Sequence, residues 1–255
     1  MVAAARQMRT SLMLSGSSTY VPHTPWRAGW ALLATLLITI AGVLTLMGLL
    51  SVDKIVRGLG RAQGLWREDM GTLLTLAAWQ AVTIALTIGA SSLFGGKISE
   101  VLALQAPAGG LRMYAVGAGM TVVFLAALTV INAWLAPEIS QSQPSTALFG
   151  ELWALALLVV GVGGPISEEL LFRGFLLSAL ATTKLDFWGA AIVSTACWTV
   201  LHGGHSATGF LSIVAMGLLF CWQLQRSGSL RVPILCHALY NVIIVIAFGR
   251  VTVQS

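Results

Sequence analysis

FWGAAIVSTACWTVLHGGHSATGFLSIVAMGLLFCWQLQ, residues Phe187 to Gln225, holds no charged side chain in 39 positions. Wound as one helix it would measure about 58 Å at 1.5 Å per residue, roughly twice the hydrocarbon thickness of a bilayer. The run must therefore turn back on itself. Its breaker is His202-Gly203-Gly204-His205-Ser206, which predicts one helix over Phe187 to His202 and another over Ala207 to Gln225.

Outward from this run the same pattern repeats. The chain of 255 residues is 57% hydrophobic and 9% charged, far below the roughly 25% charge of soluble domains. Apolar stretches bounded by charges run from Ala28 to Val52, Met70 to Gly96 and Met113 to Pro137. A fourth begins near Ala147 and runs toward Leu180, with Gly163-Gly164-Pro165 in its middle as a kink or break. A last helix follows Pro233 and ends near Phe248. The expected fold is an all-α, multi-pass membrane bundle of about seven transmembrane helices with a kinked fourth helix. Between the first two helices, Asp53 to Asp69 mixes Ile55, Val56, Leu59, Leu65 and Trp66 with four basic residues, the composition of an interfacial amphipathic segment. Glu138 to Ser145 reads as a loop.

Residues 1–26 carry Arg6 and Arg9, no acid and a Ser/Thr-rich tract, and read as a cytoplasmic tail preceding a single transmembrane domain over 27–255. With the N-terminus inside, eight basic residues fall in cytoplasmic segments against five outside, a balance that favours this orientation with the basic first loop as the discordant part. The net charge of +5 is scattered among short loops, so it orients helices and does not form a nucleic-acid surface. Cys197, Cys221 and Cys236 all lie inside apolar runs without metal-ligand spacing and read as small core residues. Small residues such as Ala115 and Gly119 are too frequent to specify a dimer, so the oligomeric state stays open.

Charge inside such a bundle is costly and marks function. The fourth helix carries Glu168-Glu169-Leu170-Leu171-Phe172-Arg173. Glu169 and Arg173 stand at i,i+4 with the acid first, the favourable order for an ion pair. Glu168 points about 100° away around the helix and is free for chemistry. Trp198 and His202 share one face of the fifth helix, and His237 and Asn241 one face of the last. A carboxylate, two imidazoles and a carboxamide on three helices are the inventory for hydrolysing a carbonyl. Glu168 could activate water, with His202 holding that water or passing its proton to the leaving amine. His237 and Asn241 could stabilise an oxyanion. The same Glu168, His202 and His237 are also a zinc ligand set, though no His-Glu-x-x-His motif is present.

Taken together, Glu168-Glu169-x-x-x-Arg173, Trp198-x-x-x-His202 and His237-x-x-x-Asn241 resemble the CPBP family of intramembrane proteases, also called the Abi or CAAX-protease family. The resemblance covers about 150–246, with the three motifs in the family's order. It implies an all-helical membrane fold with a buried cavity and peptide-bond hydrolysis by a glutamate-activated water. By position, Glu168 is the water-activating residue, His202 its partner, and His237 with Asn241 the oxyanion pair. Glu169, Arg173 and Trp198 look supportive. The second motif usually starts with Phe, and Trp198 is the departure. Straight helices would leave Glu168 and His202 at different depths. The break at Gly163 to Pro165, tilt, or a fourth helix starting outside the bilayer has to bring them level.

The implied partners are membrane lipid and a membrane-associated or lipidated peptide or protein, in a bacterial cytoplasmic membrane. A non-catalytic scaffold or bacteriocin-immunity protein on the same fold is the alternative. A proton-relaying transporter is a third reading, opposed by the absence of an inverted repeat.

Overall fold

The computed structural model describes residues 20–58, 68–135, 152–203 and 206–249. Several sequence readings fall outside them: residues 1–19 of the tail, residues 59–67 of the interfacial segment, the Glu138 to Ser145 loop, the start of the fourth helix near Ala147, and His205. Every extended element among the described residues is helical. We number them α1 (Ala28–Gly58), α2 (Glu68–Ser92), a single turn α3 (Ile98–Val101), α4 (Leu111–Leu135), α5 (Trp153–Leu180), α6 (Asp186–Val200), α7 (Ala207–Ser227) and α8 (Arg231–Gly249).

Five of these, α1, α2, α4, α5 and α7, contain stretches long and apolar enough to cross a membrane. At 15 residues α6 reaches only about 22 Å, and α8 starts on Arg231. The expected seven crossings are thus five of full length, with two shorter helices completing the bundle. The outward face of α1 explains the membrane setting. Leu32, Leu33, Leu36, Leu37, Ile40, Leu44 and Met47 are exposed, while Ala31, Ala34, Thr35 and Ile38 face inward. An apolar stripe this long facing outward requires lipid, and the chain is an integral membrane protein.

Two boundaries differ from the sequence reading. Asp53 to Gly58, the start of the expected interfacial segment, continue α1 as helix, and residues 59–67 of that segment lie outside the described residues. Pro233 lies within the first turn of α8, where its missing N–H has no helical partner to lose.

The central helix is α5, the most buried of the five spans. Gly163-Gly164-Pro165 does not break it. The helix instead widens to π geometry over Leu157–Gly163, tightens to α over Gly164–Glu168 and widens again over Glu169–Leu177. Around it the core gathers Leu170, Phe172, Phe175, Leu176, Trp198 and Leu224. The segment before α1 also packs inward. Trp26 stacks on Phe175 at 4.7 Å, Thr24 Oγ1 donates to the Ser178 carbonyl at 3.0 Å, and Tyr20 N–H donates to the Gln225 carbonyl at 3.2 Å. Burial raises the pKa of the Tyr20 phenol.

Candidate active site

A cavity of about 670 Å³ opens among α1, α2, α5, α6, α7 and α8. Glu168, Trp198, His202, His237 and Asn241 all line it. The three motifs therefore meet in one hollow, and the mismatch in depth expected of straight helices is absent.

The backbone of α5 sets this up. Gly164 N–H reaches back to the Val159 carbonyl, five residues away, and Pro165 has no N–H for the next carbonyl in the series. The Val160 carbonyl so released accepts Asn241 Nδ2 at 2.9 Å, and the Val159 carbonyl takes a further bond from Gln80 Nε2 at 3.0 Å. Two carboxamides from neighbouring helices thus hold the irregular turn next to the glutamates. Such π turns recur at functional sites.

Glu168 is the last residue of the α-helical turn and Glu169 the first of the following π segment, so the adjacent carboxylates diverge. Glu169 enters the core, fully buried. Its Oε1 accepts Arg173 Nη1 at 3.1 Å and faces His237 Nδ1 at 3.0 Å. Arg173 is equally buried. Its Nη2 donates to the Gly217 carbonyl at 3.4 Å, and its guanidinium lies 4.5 Å over the Trp198 ring. The ion pair expected from the i,i+4 spacing is present, but Glu169 also binds His237, which sequence spacing did not indicate.

Glu168 faces the cavity with its side chain 29% exposed, enough for water to reach it. Its Oε2 accepts the Trp198 indole N–H at 2.6 Å. His237 Nε2 lies 3.8 Å from that same oxygen. A carboxylate oxygen only accepts, so the Glu169 contact puts a proton on His237 Nδ1 and aims Nε2 at the cavity side. The ring is clamped by Phe220, stacked at 4.6 Å, and by the edge of Trp198 at 5.6 Å. His202, just beyond α6, turns Nδ1 onto the Trp198 carbonyl at 3.1 Å, which leaves Nε2 as its acceptor.

Among the described residues no group of three or more His, Cys, Asp or Glu side chains is placed to hold a metal ion. Glu168, His202 and His237 share the cavity without forming a ligand cluster. Sequence reasoning missed Gln80, which lines the cavity from α2. A carboxamide in the middle of an apolar span was the available signal.

Residues 150–243 match the family model described as Type II CAAX prenyl endopeptidase Rce1-like. The resemblance carried by the three motifs is shown over that stretch. A protein of Bacillus subtilis (strain 168) named "Putative membrane peptidase YdiL" is 29% identical to this chain over 108 residues. That alignment spans 42% of this chain and 43% of the relative, less than half of either. No solved structure matches the chain.

Proposed function

We propose that this protein is an intramembrane endopeptidase that hydrolyses a peptide bond of a membrane-associated or lipidated substrate through a water activated by Glu168. The observation that carries this reading is the division of labour between adjacent glutamates. Glu169 is sealed in the core by Arg173 and His237, while Glu168 opens on the cavity with Oε1 available.

Glu168 takes a proton from the water, whose oxygen adds to the scissile carbonyl carbon. The oxyanion is met by His237 Nε2–H in its protonated form and by the second N–H of the Asn241 amide. Each such donor contributes about 3 to 4 kcal/mol of transition-state stabilisation. As the C–N bond breaks, the proton passes to the leaving amine from Glu168, with His202 Nε2 holding the water or relaying that proton. The Asn241 bond to Val160 holds the amide in one orientation at the cavity wall, which supports this role. The family match and the relative's name support peptidase chemistry, and the relative's source supports a bacterial membrane. The balance of basic residues supports a cytoplasmic N-terminus.

The test is to compare peptide termini in membranes carrying the wild type or Glu168→Ala. The reading expects one substrate terminus to vanish in the variant. A scaffold or immunity protein would keep its cellular phenotype and leave the termini unaltered.

A further inference from the structure

Hydrolysis inside a bilayer consumes water, and the seam between α1 and α2 has unusual hydroxyl chemistry. On these two helices Thr45, Ser51, Thr75 and Ser91 each bond back to the carbonyl four residues earlier. That contact removes a hydroxyl from the polar ledger of an apolar interior. Thr35, Thr83 and Thr87 do not make it. All three are more than nine-tenths buried, and each Oγ1 has no hydrogen-bond partner in the protein. Leaving a buried hydroxyl unpaired forfeits its hydrogen bonds to water, so three on one seam call for a ligand.

Their placement is ordered. Gly42 faces Trp79 and Thr83, and Trp30 meets Phe94 at 5.7 Å, which fixes the antiparallel register of α1 and α2. In that register Thr39 is level with Thr83, and Thr35 with Thr87. Thr39 and Thr83 both line the cavity. Thr35 and Thr87 stand one helical turn farther along, about 6 Å away, in the direction of Trp30. The Trp30 indole N–H is also buried without a partner. Unpartnered polar atoms thus succeed one another from the cavity to the end of the bundle where α1 begins.

We propose that this seam is a water site: a file of water molecules bound by Thr83, Thr87, Thr35 and the Trp30 N–H, feeding the cavity that holds Glu168. Water is the ligand because the atoms offered are hydroxyls and an indole N–H, all without charge. Each water needs two to four polar partners, which facing threonines and neighbouring waters supply. The feeding role rests on the hydrolase reading, whereas the occupancy of the seam does not.

Two measurements test it on the full-length protein in detergent micelles. With threonine methyls isotopically labelled, water-to-methyl NOEs are expected at Thr35, Thr83 and Thr87. They should be missing at Thr121, whose hydroxyl is bonded to the Gly117 carbonyl. No NOE at the three seam threonines would overturn the water site. Thr83→Val and Thr87→Val keep the β-branched shape while removing the hydroxyl. Both are expected to lower kcat several-fold with KM unchanged and with the melting temperature equal or higher. Unchanged kcat in the double variant would overturn the feeding role. Glu168→Gln separates the two levels. If turnover survives that change, the reading of Glu168 as the water-activating residue fails, and the NOEs still decide whether the seam is wet.

Discussion

The Trp198 indole N–H donates to Glu168 Oε2 at 2.6 Å while the face of the same ring lies 4.5 Å from the Arg173 guanidinium. One side chain therefore ties the exposed glutamate to the buried ion pair. The ring also meets His202 and His237 edge-on, at 4.7 and 5.6 Å. Phenylalanine, the usual first residue of this motif in the resembled family, could wall the cavity but could not donate to the carboxylate. In the mechanism proposed above, this bond would engage Oε2 and leave Oε1 to meet the water.

Trp198→Phe is expected to lower kcat/KM by about tenfold without abolishing activity. A hydrogen bond to a charged group is worth roughly 1.5 to 3 kcal/mol, and 1.4 kcal/mol is a factor of ten. Steady-state kinetics on the purified variant measure this. Equal kcat/KM would show that the bond does not orient the reacting carboxylate.

Removing one member of the buried ion pair leaves the other uncompensated. Arg173→Met is expected to destabilise the fold by about 3 to 5 kcal/mol. Glu169→Leu combined with Arg173→Met should recover much of that loss, since no charge then stays buried. Unfolding in detergent, followed for the single and double variants, reads the difference. Activity should stay low in the double variant even where stability recovers, because replacing Glu169 takes away the partner of His237 Nδ1.

Gly217 lets α7 approach this cluster. A Cβ there would sit 2.6 Å from Thr195 Cγ2, 3.0 Å from Arg173 Nη2 and 3.1 Å from Trp198 Cζ3. Gly217→Ala is expected to cost about 1 to 3 kcal/mol by overpacking and to reduce turnover. Gly119→Ala, with no atom within 4 Å of the added methyl, should leave turnover unchanged and gain up to about 1 kcal/mol of helix propensity. Thermal unfolding of the two variants provides the contrast.

Asn241→Leu removes the donor that satisfies the Val160 carbonyl. A stability loss of about 1 to 3 kcal/mol is expected, with a fall in kcat larger than the change in KM. An effect on KM alone would assign Asn241 to substrate binding and not to the reacting carbonyl.

These contacts also show what a sequence can reveal. Glu168, Glu169 and Arg173 were legible because charge stands out in apolar surroundings, and the His and Asn positions because their i,i+4 spacing put them on common faces. The helix-to-helix partners were not. Glu169 to His237 spans 68 positions and Asn241 to Val160 spans 81, beyond any local periodicity. Reading Gly163-Gly164-Pro165 as a kink or break identified the place where the helix leaves regular α geometry; the form it takes there, a widened π turn that absorbs the missing N–H, was not legible. Of the expected seven spans, five reach full crossing length. Stretches between charges bound where a helix can run, but α6 stops after 15 residues because the pair Gly203-Gly204 follows soon after. Trp26, near the start of α1 where tryptophans often mark a membrane interface, is buried against Phe175.

The most direct test of the account follows cleavage of a membrane-anchored peptide by purified protein in lipid nanodiscs, wild type against Glu168→Gln. The substitution keeps the shape of the side chain and its contact with Trp198 while removing the base. The account predicts that kcat falls by a factor of about 10² to 10⁴ with the fold intact. Cleavage by the variant at the wild-type rate and at the same peptide bond would contradict it.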